Sequence, residues 1–125
     1  MMRRFQVWLG VGFLLLGSGP VLADGDAAAG KKVFNKCRAC HEVDAEKNRV
    51  GPYLTGVIGR PAGTVEGFKY SDAMKGSGIT WDEVTIAEYV ADPKGYIPGN
   101  KMAFPGVKKE ADVENLVAYL QEATQ

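Results

Sequence analysis

One short segment, Cys37-Arg38-Ala39-Cys40-His41, contains both cysteines and the single histidine of the chain. The C-x-x-C-H pattern is typical of covalent haem attachment. Two thiols about one helical turn apart can add to the two vinyl groups on one edge of a porphyrin, and the next residue can present its imidazole to the iron. The segment therefore predicts one haem c, attached through Cys37 and Cys40, with His41 beneath the iron.

Three other uses of these residues are weaker. A disulfide between Cys37 and Cys40 would close so small a ring that it would constrain the unfolded chain little. A thioredoxin-type dithiol begins a helix that follows a strand, whereas this pair lies at the end of a predicted helix and no βαβ pattern surrounds it. A zinc site needs four ligands, usually Cys or His, and the chain has only three such residues.

A sixth iron ligand would separate an electron carrier from a haem enzyme, because an open iron binds peroxide or gases and a Met opposite His closes it. Two methionines lie beyond the N-terminal segment. Met74 falls in a short helical stretch near residues 71–75, where a Met is more often core filler. Met102 lies in an irregular loop that can bring its backbone flat over a haem face. The residue types alone leave the choice open.

Helical periodicity dominates after residue 24, and no strand-like alternation of useful length is present. Asp26 can cap a helix that runs to about Cys37. The stretch from Thr80 to Glu83 predicts a capping box and a helix to about Ala91, ended by Asp92-Pro93. A third, C-terminal helix is predicted over about 110–123, with a buried stripe formed by Val113, Leu116, Val117 and Leu120.

Long loops rich in Gly and Pro, over 51–64 and 92–106, join these helices, and loops of this length are uncommon without a function. A chain of this length is one domain by size. Three modest helices bury little apolar core of their own, so the sequence predicts an all-α fold whose centre is filled by a haem.

The first 23 residues predict a secretory signal peptide, because a basic start at Arg3 and Arg4 precedes an apolar run and a small-residue cleavage pattern at residues 21–23. An uncleaved membrane anchor is the alternative, since the run almost reaches the roughly 20 residues that a bilayer needs. Residues 24–125 would then form the mature domain. Losing Arg3 and Arg4 leaves 13 basic residues against 15 acidic ones, which argues against nucleic-acid binding.

Several stretches, in the correct order, resemble class I c-type cytochromes, particularly mitochondrial cytochrome c and the bacterial cytochromes c2. They are the haem motif, Gly30-Lys31-Lys32-Val33-Phe34, Gly51-Pro52-Tyr53-Leu54, Gly59-Arg60, Gly78-Ile79-Thr80-Trp81, Tyr96-Ile97-Pro98-Gly99 with Lys101-Met102, and Ala118-Tyr119-Leu120. The resemblance implies the class I cytochrome c fold, with three main helices and long loops wrapped around one covalently bound haem c.

The resemblance also implies roles for individual residues. His41 and Met102 would be the axial ligands, Pro52 would accept a hydrogen bond from the His41 ring, and Tyr89 would donate to the Met102 sulfur. The haem propionates would be surrounded by Arg60, Tyr70, Ser71 and Trp81. For Tyr70, Trp81 and Tyr89, ordinary packing in the core is the alternative role. Gly30 would lie where the first helix crosses the last, near Leu116 and Tyr119.

The sequence departs from the mitochondrial pattern in two ways. It lacks one residue between Phe34 and Cys37 and another between His41 and Gly51, which indicates a bacterial branch. Met74 stands where the mitochondrial family has an internal polar residue, so a buried water network there is not expected to be inherited.

The function that the resemblance implies is that of a periplasmic, monomeric electron carrier without enzymatic turnover. A bc1-type complex would supply electrons, and a photosynthetic reaction centre, an oxidase or a reductase would accept them. Docking would be brief and steered by charge. It would occur at a haem edge fringed by lysines, namely Lys32, Lys36, Lys94, Lys101, Lys108 and Lys109. The alternative is that these lysines are only solvated surface residues without a role in docking. A haem enzyme or gas-binding protein with a labile Met102 is the rival function.

Overall fold

The computed structural model describes residues 25–125 and two isolated glycines, Gly10 and Gly12. The described chain forms five helices and no strand: α1 (Ala27–Phe34), α2 (Asp72–Lys75), α3 (Glu83–Ala91), α4 (Pro93–Tyr96) and α5 (Glu110–Ala123). The predicted all-α fold with three main helices is confirmed, since α2 and α4 are single turns. Nearly all of the predicted leader lies outside the described residues. In the part that is described, no helix is both long and apolar enough to cross a membrane.

Helix α1 begins at the predicted cap. The Asp26 carboxylate accepts hydrogen bonds from the backbone N–H groups two and three residues later, at 2.9 and 3.4 Å. The helix then crosses α5 at Gly30, where a Cβ would lie 2.8 Å from the Cβ of Tyr119 and closer still to the carbonyl oxygen of Asn115. Only a residue without a side chain allows this approach, so the predicted crossing is present.

The predicted end of α1 at Cys37 is wrong, because the α-helix ends at Phe34. The N–H groups of Lys36 and Cys37 donate to carbonyls three residues earlier, at 3.1 and 2.8 Å. This tighter winding is typical of helix ends. The cysteine motif therefore lies in a series of turns after α1 and not in the helix itself.

Helix α3 begins two residues later than predicted. The proposed capping box over Thr80–Glu83 is wrong; the box is formed by Asp82, whose carboxylate accepts from the Thr85 N–H, and by the Thr85 hydroxyl, which accepts from the Asp82 N–H, both at 2.8 Å. Trp81 stays outside the helix because its carbonyl oxygen, which an α-helix would pair with the Thr85 N–H, accepts instead from the Gly59 N–H at 2.7 Å. A long-range contact thus moves the start of the helix.

Helix α5 supplies the largest part of the core. The predicted stripe of Val113, Leu116, Val117 and Leu120 is buried, and Ala118 is buried with it. The stripe packs against α1 and α3, where Phe34 and Ile86 belong to the same buried cluster. These helices form a scaffold on one side, and the long loops close the other.

The loop predicted over 92–106 contains α4, which periodicity cannot reveal in four residues. The Asp92 carboxylate ends the connection from α3 and accepts from the N–H of Gly95 at 3.1 Å. Pro93 and Ile97, at the two ends of this turn, are both buried. The turn therefore gives the following segment, which carries Met102, a fixed starting point.

Candidate haem site

A largely apolar cavity of about 280 Å³ lies between the helices and the loops. Its lining contains every site residue predicted from the sequence: Cys37, Cys40, His41, Pro52, Arg60, Tyr70, Ser71, Trp81, Tyr89 and Met102. Apolar side chains complete the wall, among them Phe34, Leu54, Val57, Ile86 and Leu116. Residues that lie 65 positions apart in the chain thus meet at one cavity.

The cysteine motif is shaped by its own backbone. The N–H groups of Cys40 and His41 both donate to the carbonyl of Cys37, at 3.0 Å. The two cysteines form no disulfide in the described chain. Burial raises the pKa of the Cys37 thiol, the neighbouring Cys40 adds to this rise, and Lys36 opposes it. Both thiols lie at the cavity wall and are available for covalent attachment.

The imidazole of His41 has a defined orientation. Its Nδ1 lies 2.8 Å from the carbonyl oxygen of Pro52. Because a carbonyl only accepts, Nδ1 must carry the hydrogen, which leaves the lone pair on Nε2 free for a metal. Burial lowers the pKa of His41, although the bond to Pro52 partly offsets this effect. The ring is therefore held neutral, as a metal ligand must be.

Gly51 sets the position of this ring. A Cβ at Gly51 would lie 2.7 Å from Nδ1 of His41 and closer still to its Cε1. The N–H of Gly51 donates to the Cys40 carbonyl at 2.9 Å, which ties the loop back to the motif. The backbone therefore packs directly against the imidazole.

Tyr89 and Met102 meet at another part of the wall. The Tyr89 hydroxyl lies 3.9 Å from the Met102 sulfur and 3.4 Å from Oδ1 of Asn100. The predicted contact with the sulfur is present, but the oxygen of Asn100 competes for the same hydrogen. Burial raises the pKa of Tyr89 to about 12, so the hydroxyl keeps its hydrogen at neutral pH. The ring also packs against Trp81, with centroids 5.0 Å apart.

Asn100 is a site residue that the sequence reasoning missed. Its side-chain amide donates to the carbonyls of Pro93 and Ile97, which precede it in the chain. The amide oxygen accepts from the N–H of Met102, which follows it, at 2.8 Å. The feature of the sequence that could have indicated this role is an Asn that follows Gly99 in a predicted loop, because Asn side chains readily form hydrogen bonds to nearby backbone groups.

The four residues expected near the propionates are already bonded to backbone or buried. Arg60 donates to the carbonyls of Tyr53 and Thr55. Burial lowers the pKa of its guanidinium. The group nevertheless stays charged, because the ordinary pKa of arginine is very high.

Two hydroxyls on the same wall have a hydrogen left to donate. The Tyr70 hydroxyl accepts from the Val65 N–H at 3.1 Å, and the Ser71 hydroxyl accepts from the Met74 N–H at 3.1 Å. Trp81 is only 8 % exposed. Together with Arg60, these groups offer one cation and two hydroxyl donors to an anionic ligand.

Comparison with known proteins shows the family of the chain. The family model described as Cytochrome c matches residues 27–124. Cytochrome c-550 of Nitrobacter winogradskyi is 54 % identical over 99 residues, which are 78 % of this chain and 91 % of that protein. Cytochrome c2 of Blastochloris viridis is 51 % identical over 111 residues, 88 % of this chain and 87 % of that protein. The chain belongs to the cytochrome c family.

Among solved structures, cytochrome cH from Methylobacterium extorquens superposes with a TM-score of 0.73 at 50 % identity, covering 78 % of this chain and 98 % of that one. The fold is thus that of a class I cytochrome c. Members of the cytochrome c family are electron carriers and not enzymes, and they carry a covalently bound haem c. Cys37 and Cys40 have the spacing of the family's haem-binding motif.

The cavity fits the group that the cytochrome c family carries. Its wall is largely apolar, and Cys37, Cys40, His41 and Met102 all line it. Because Nδ1 of His41 is bonded to the Pro52 carbonyl, Nε2 is the nitrogen left for a metal. Met74 also lines the cavity. It is half-buried and packs against the core, so a second thioether is present in the same wall.

Proposed function

We propose that this protein is a periplasmic carrier of single electrons, in which Cys37 and Cys40 hold haem c and His41 and Met102 are its axial ligands. When bound, the haem supplies a one-electron couple at its iron. The observation that supports the proposal best is that the His41 imidazole and the Met102 thioether line the same apolar cavity as the two thiols, and the Tyr89 hydroxyl lies beside the Met102 sulfur.

The chain's own residues keep both ligands in the form that binds iron. His41 stays neutral because burial lowers its pKa, and the Pro52 carbonyl fixes its tautomer. Tyr89 stays protonated and places a hydrogen-bond donor, rather than a charge, beside the Met102 sulfur. Both ligands would therefore offer a neutral donor atom to the haem iron.

The ligand assignment is tested with Met102→Ala and a matched variant, Met74→Ala, which removes the other thioether of the cavity wall. We expect the oxidised wild-type holoprotein to show the weak far-red sulfur-to-iron absorption band and slow cyanide binding. Met102→Ala should lose the band and bind cyanide rapidly, and Met74→Ala should keep wild-type behaviour.

The opposite results would identify other functions. Unchanged spectra in Met102→Ala would contradict the assignment, and loss of the band only in Met74→Ala would move the ligand to Met74. A wild-type protein that is already open to peroxide or cyanide would favour the haem enzyme or gas-binding protein.

We propose that partners dock at the lysine fringe of the cavity. Lys36 and Lys101 line the cavity, and both side chains are exposed. The other members of the fringe, Lys32, Lys94, Lys108 and Lys109, are exposed as well. A bc1-type donor and a reaction centre, oxidase or reductase as acceptor fit this role, with the protein acting as a monomer.

Electron-transfer rates to an acidic partner complex test the docking surface. We expect the second-order rate to fall as salt is added, because exposed charges are screened beyond about 10 Å at 0.1 M salt. Lys101→Glu should slow the reaction more than Lys75→Glu, which changes the same charge in α2. Equal effects of the two variants, or rates that do not depend on salt, would contradict docking at the fringe.

The location and the leader belong to the same proposal. Cleavage after residue 23 would leave the folded chain to begin near Asp26, whose N–H donates to the Asn115 side chain of α5 at 2.8 Å. Mass spectrometry of the periplasmic fraction should find a chain of residues 24–125 plus one haem. An intact N-terminus in the membrane fraction would support the anchor.

A further inference from the structure

Asn100 uses both ends of its side-chain amide. Nδ2 donates to the carbonyl oxygens of Pro93 and Ile97, at 2.7 and 2.8 Å, and Oδ1 accepts from the N–H of Met102 at 2.8 Å. The neighbours determine which end is which, because the two carbonyls can only accept and the N–H can only donate. The opposite orientation of the amide would break all of these hydrogen bonds.

The two carbonyls belong to a fixed part of the molecule. Pro93 is among the fully buried residues, and Ile97 is 4 % exposed. The N–H of Ile97 donates to the Pro93 carbonyl at 3.1 Å, and the backbone N–H of Asn100 donates to the Ile97 carbonyl at 3.1 Å. The amide is therefore attached to buried core residues.

The segment that follows has few attachments of its own. Residues 101–109 form no helix or strand. Within this segment the N–H of Phe104 donates to the Met102 carbonyl at 3.0 Å, and farther on the N–H of Val107 donates to the Val90 carbonyl of α3 at 2.8 Å. Asn100 thus holds the near end of the segment, two residues before Met102.

We propose that Asn100 is the positioning residue of Met102: its amide fastens the backbone of Met102 to the buried turn at Pro93 and Ile97, and so limits how often the sulfur leaves the iron. This proposal rests on the proposed ligation by Met102. Asn100 acts through the backbone of Met102 and does not itself bind the cofactor.

The experiment measures the rate at which imidazole, added to the oxidised holoprotein, replaces the Met102 sulfur, observed as loss of the far-red band. We expect Asn100→Ala to raise this rate about tenfold or more, since each hydrogen bond contributes up to about a tenfold equilibrium factor. Asn100→Asp keeps the acceptor for the Met102 N–H but turns an oxygen toward the two carbonyls. It should therefore raise the rate at least as much.

Asn48→Ala is the matched control. Asn48 also joins two loop segments, since its Nδ2 donates to the Glu66 carbonyl at 3.1 Å and its Oδ1 accepts from the Tyr53 N–H at 3.2 Å. It lies in the loop that leads to Gly51, on the side of His41. We expect the variant to lose stability without a change in the exchange rate. If Asn100→Ala yields no holoprotein, Asn100→Ser is measured in its place, with the same expected rise.

Two results would overturn the proposal: equal exchange rates in Asn100→Ala and Asn48→Ala, or a wild-type rate in Asn100→Asp. A second measurement separates this failure from that of the ligation. Hydrogen exchange of the Met102 amide should be slow in the wild type and fast in Asn100→Ala, whether or not the sulfur binds iron. If the wild type lacks the far-red band but its Met102 amide still exchanges slowly, and fast in Asn100→Ala, only the ligation by Met102 is contradicted. If the Met102 amide of the wild type exchanges fast, the role of Asn100 is contradicted.

Discussion

The two proposed ligands are held by different kinds of structure. His41 is positioned by backbone: the Gly51 chain packs against its ring, and the Pro52 carbonyl accepts its hydrogen. Met102 is positioned by side chains, namely the amide of Asn100 and the hydroxyl of Tyr89. Around His41, the site should therefore tolerate replacement of neighbouring side chains but not a side chain added where the backbone packs against the ring. Around Met102, it should be sensitive to replacement of the neighbouring side chains.

The largest effect is expected from Gly51→Ala. The added methyl group would overlap the His41 ring, and overpacking of this kind costs about 1–3 kcal/mol. We expect a lower yield of holoprotein and a lower midpoint of urea unfolding. The control is Gly76→Ala, because φ is −88° there and the nearest atom to a Cβ lies at 3.3 Å. Equal losses in both variants would mean that the ring is not held by the backbone.

Tyr89→Phe should alter the thioether side without disturbing the fold. Removing a donor near the sulfur makes it a better electron donor to oxidised iron, so the reduction potential should fall. A hydrogen bond of about 0.5–1.5 kcal/mol corresponds to about 20–60 mV in a one-electron couple. Equilibrium redox titration measures this shift. An unchanged potential would indicate that the hydroxyl gives its hydrogen to Asn100, which lies nearer to it than the sulfur does.

The same variant should change the response to alkaline pH. The pKa of Tyr89 rises from 10.0 to about 12 through burial, so the folded chain keeps a proton that the unfolded chain has lost between these values. Its stabilising contribution is complete below about pH 10 and is lost as the pH rises toward about 12. The stability difference between wild type and Tyr89→Phe should therefore stay constant up to about pH 10 and decrease from there toward about pH 12 in urea unfolding. A difference independent of pH would contradict the raised pKa.

The smallest effect is expected from Pro52→Ala, because the carbonyl that accepts from His41 remains. The loss should be limited to about 0.4–1 kcal/mol of stability, since alanine gives the unfolded chain more freedom than proline does. The reduction potential should stay at the wild-type value. A shift as large as that of Tyr89→Phe would show that the pyrrolidine ring, and not only the backbone, positions the imidazole.

The sequence by itself determined the chemistry and the main helices of this protein. The cysteine motif, the Asp26 cap and the buried stripe of α5 depend on neighbours within a few residues, and such local patterns can be recognised in one sequence. The C-x-x-C-H pattern indicates haem without any tertiary contact, because its five residues are consecutive.

Tertiary structure alone decided where α3 begins and how Met102 is held. Trp81 is kept out of α3 because its carbonyl accepts from the Gly59 N–H, and a pattern of side chains does not contain that bond. The turn α4 is too short for periodicity, yet α4 and the residue that follows it supply the two carbonyls that Asn100 joins to Met102. These features depend on backbone groups brought together by folding, and backbone groups are the same at nearly every position of a sequence.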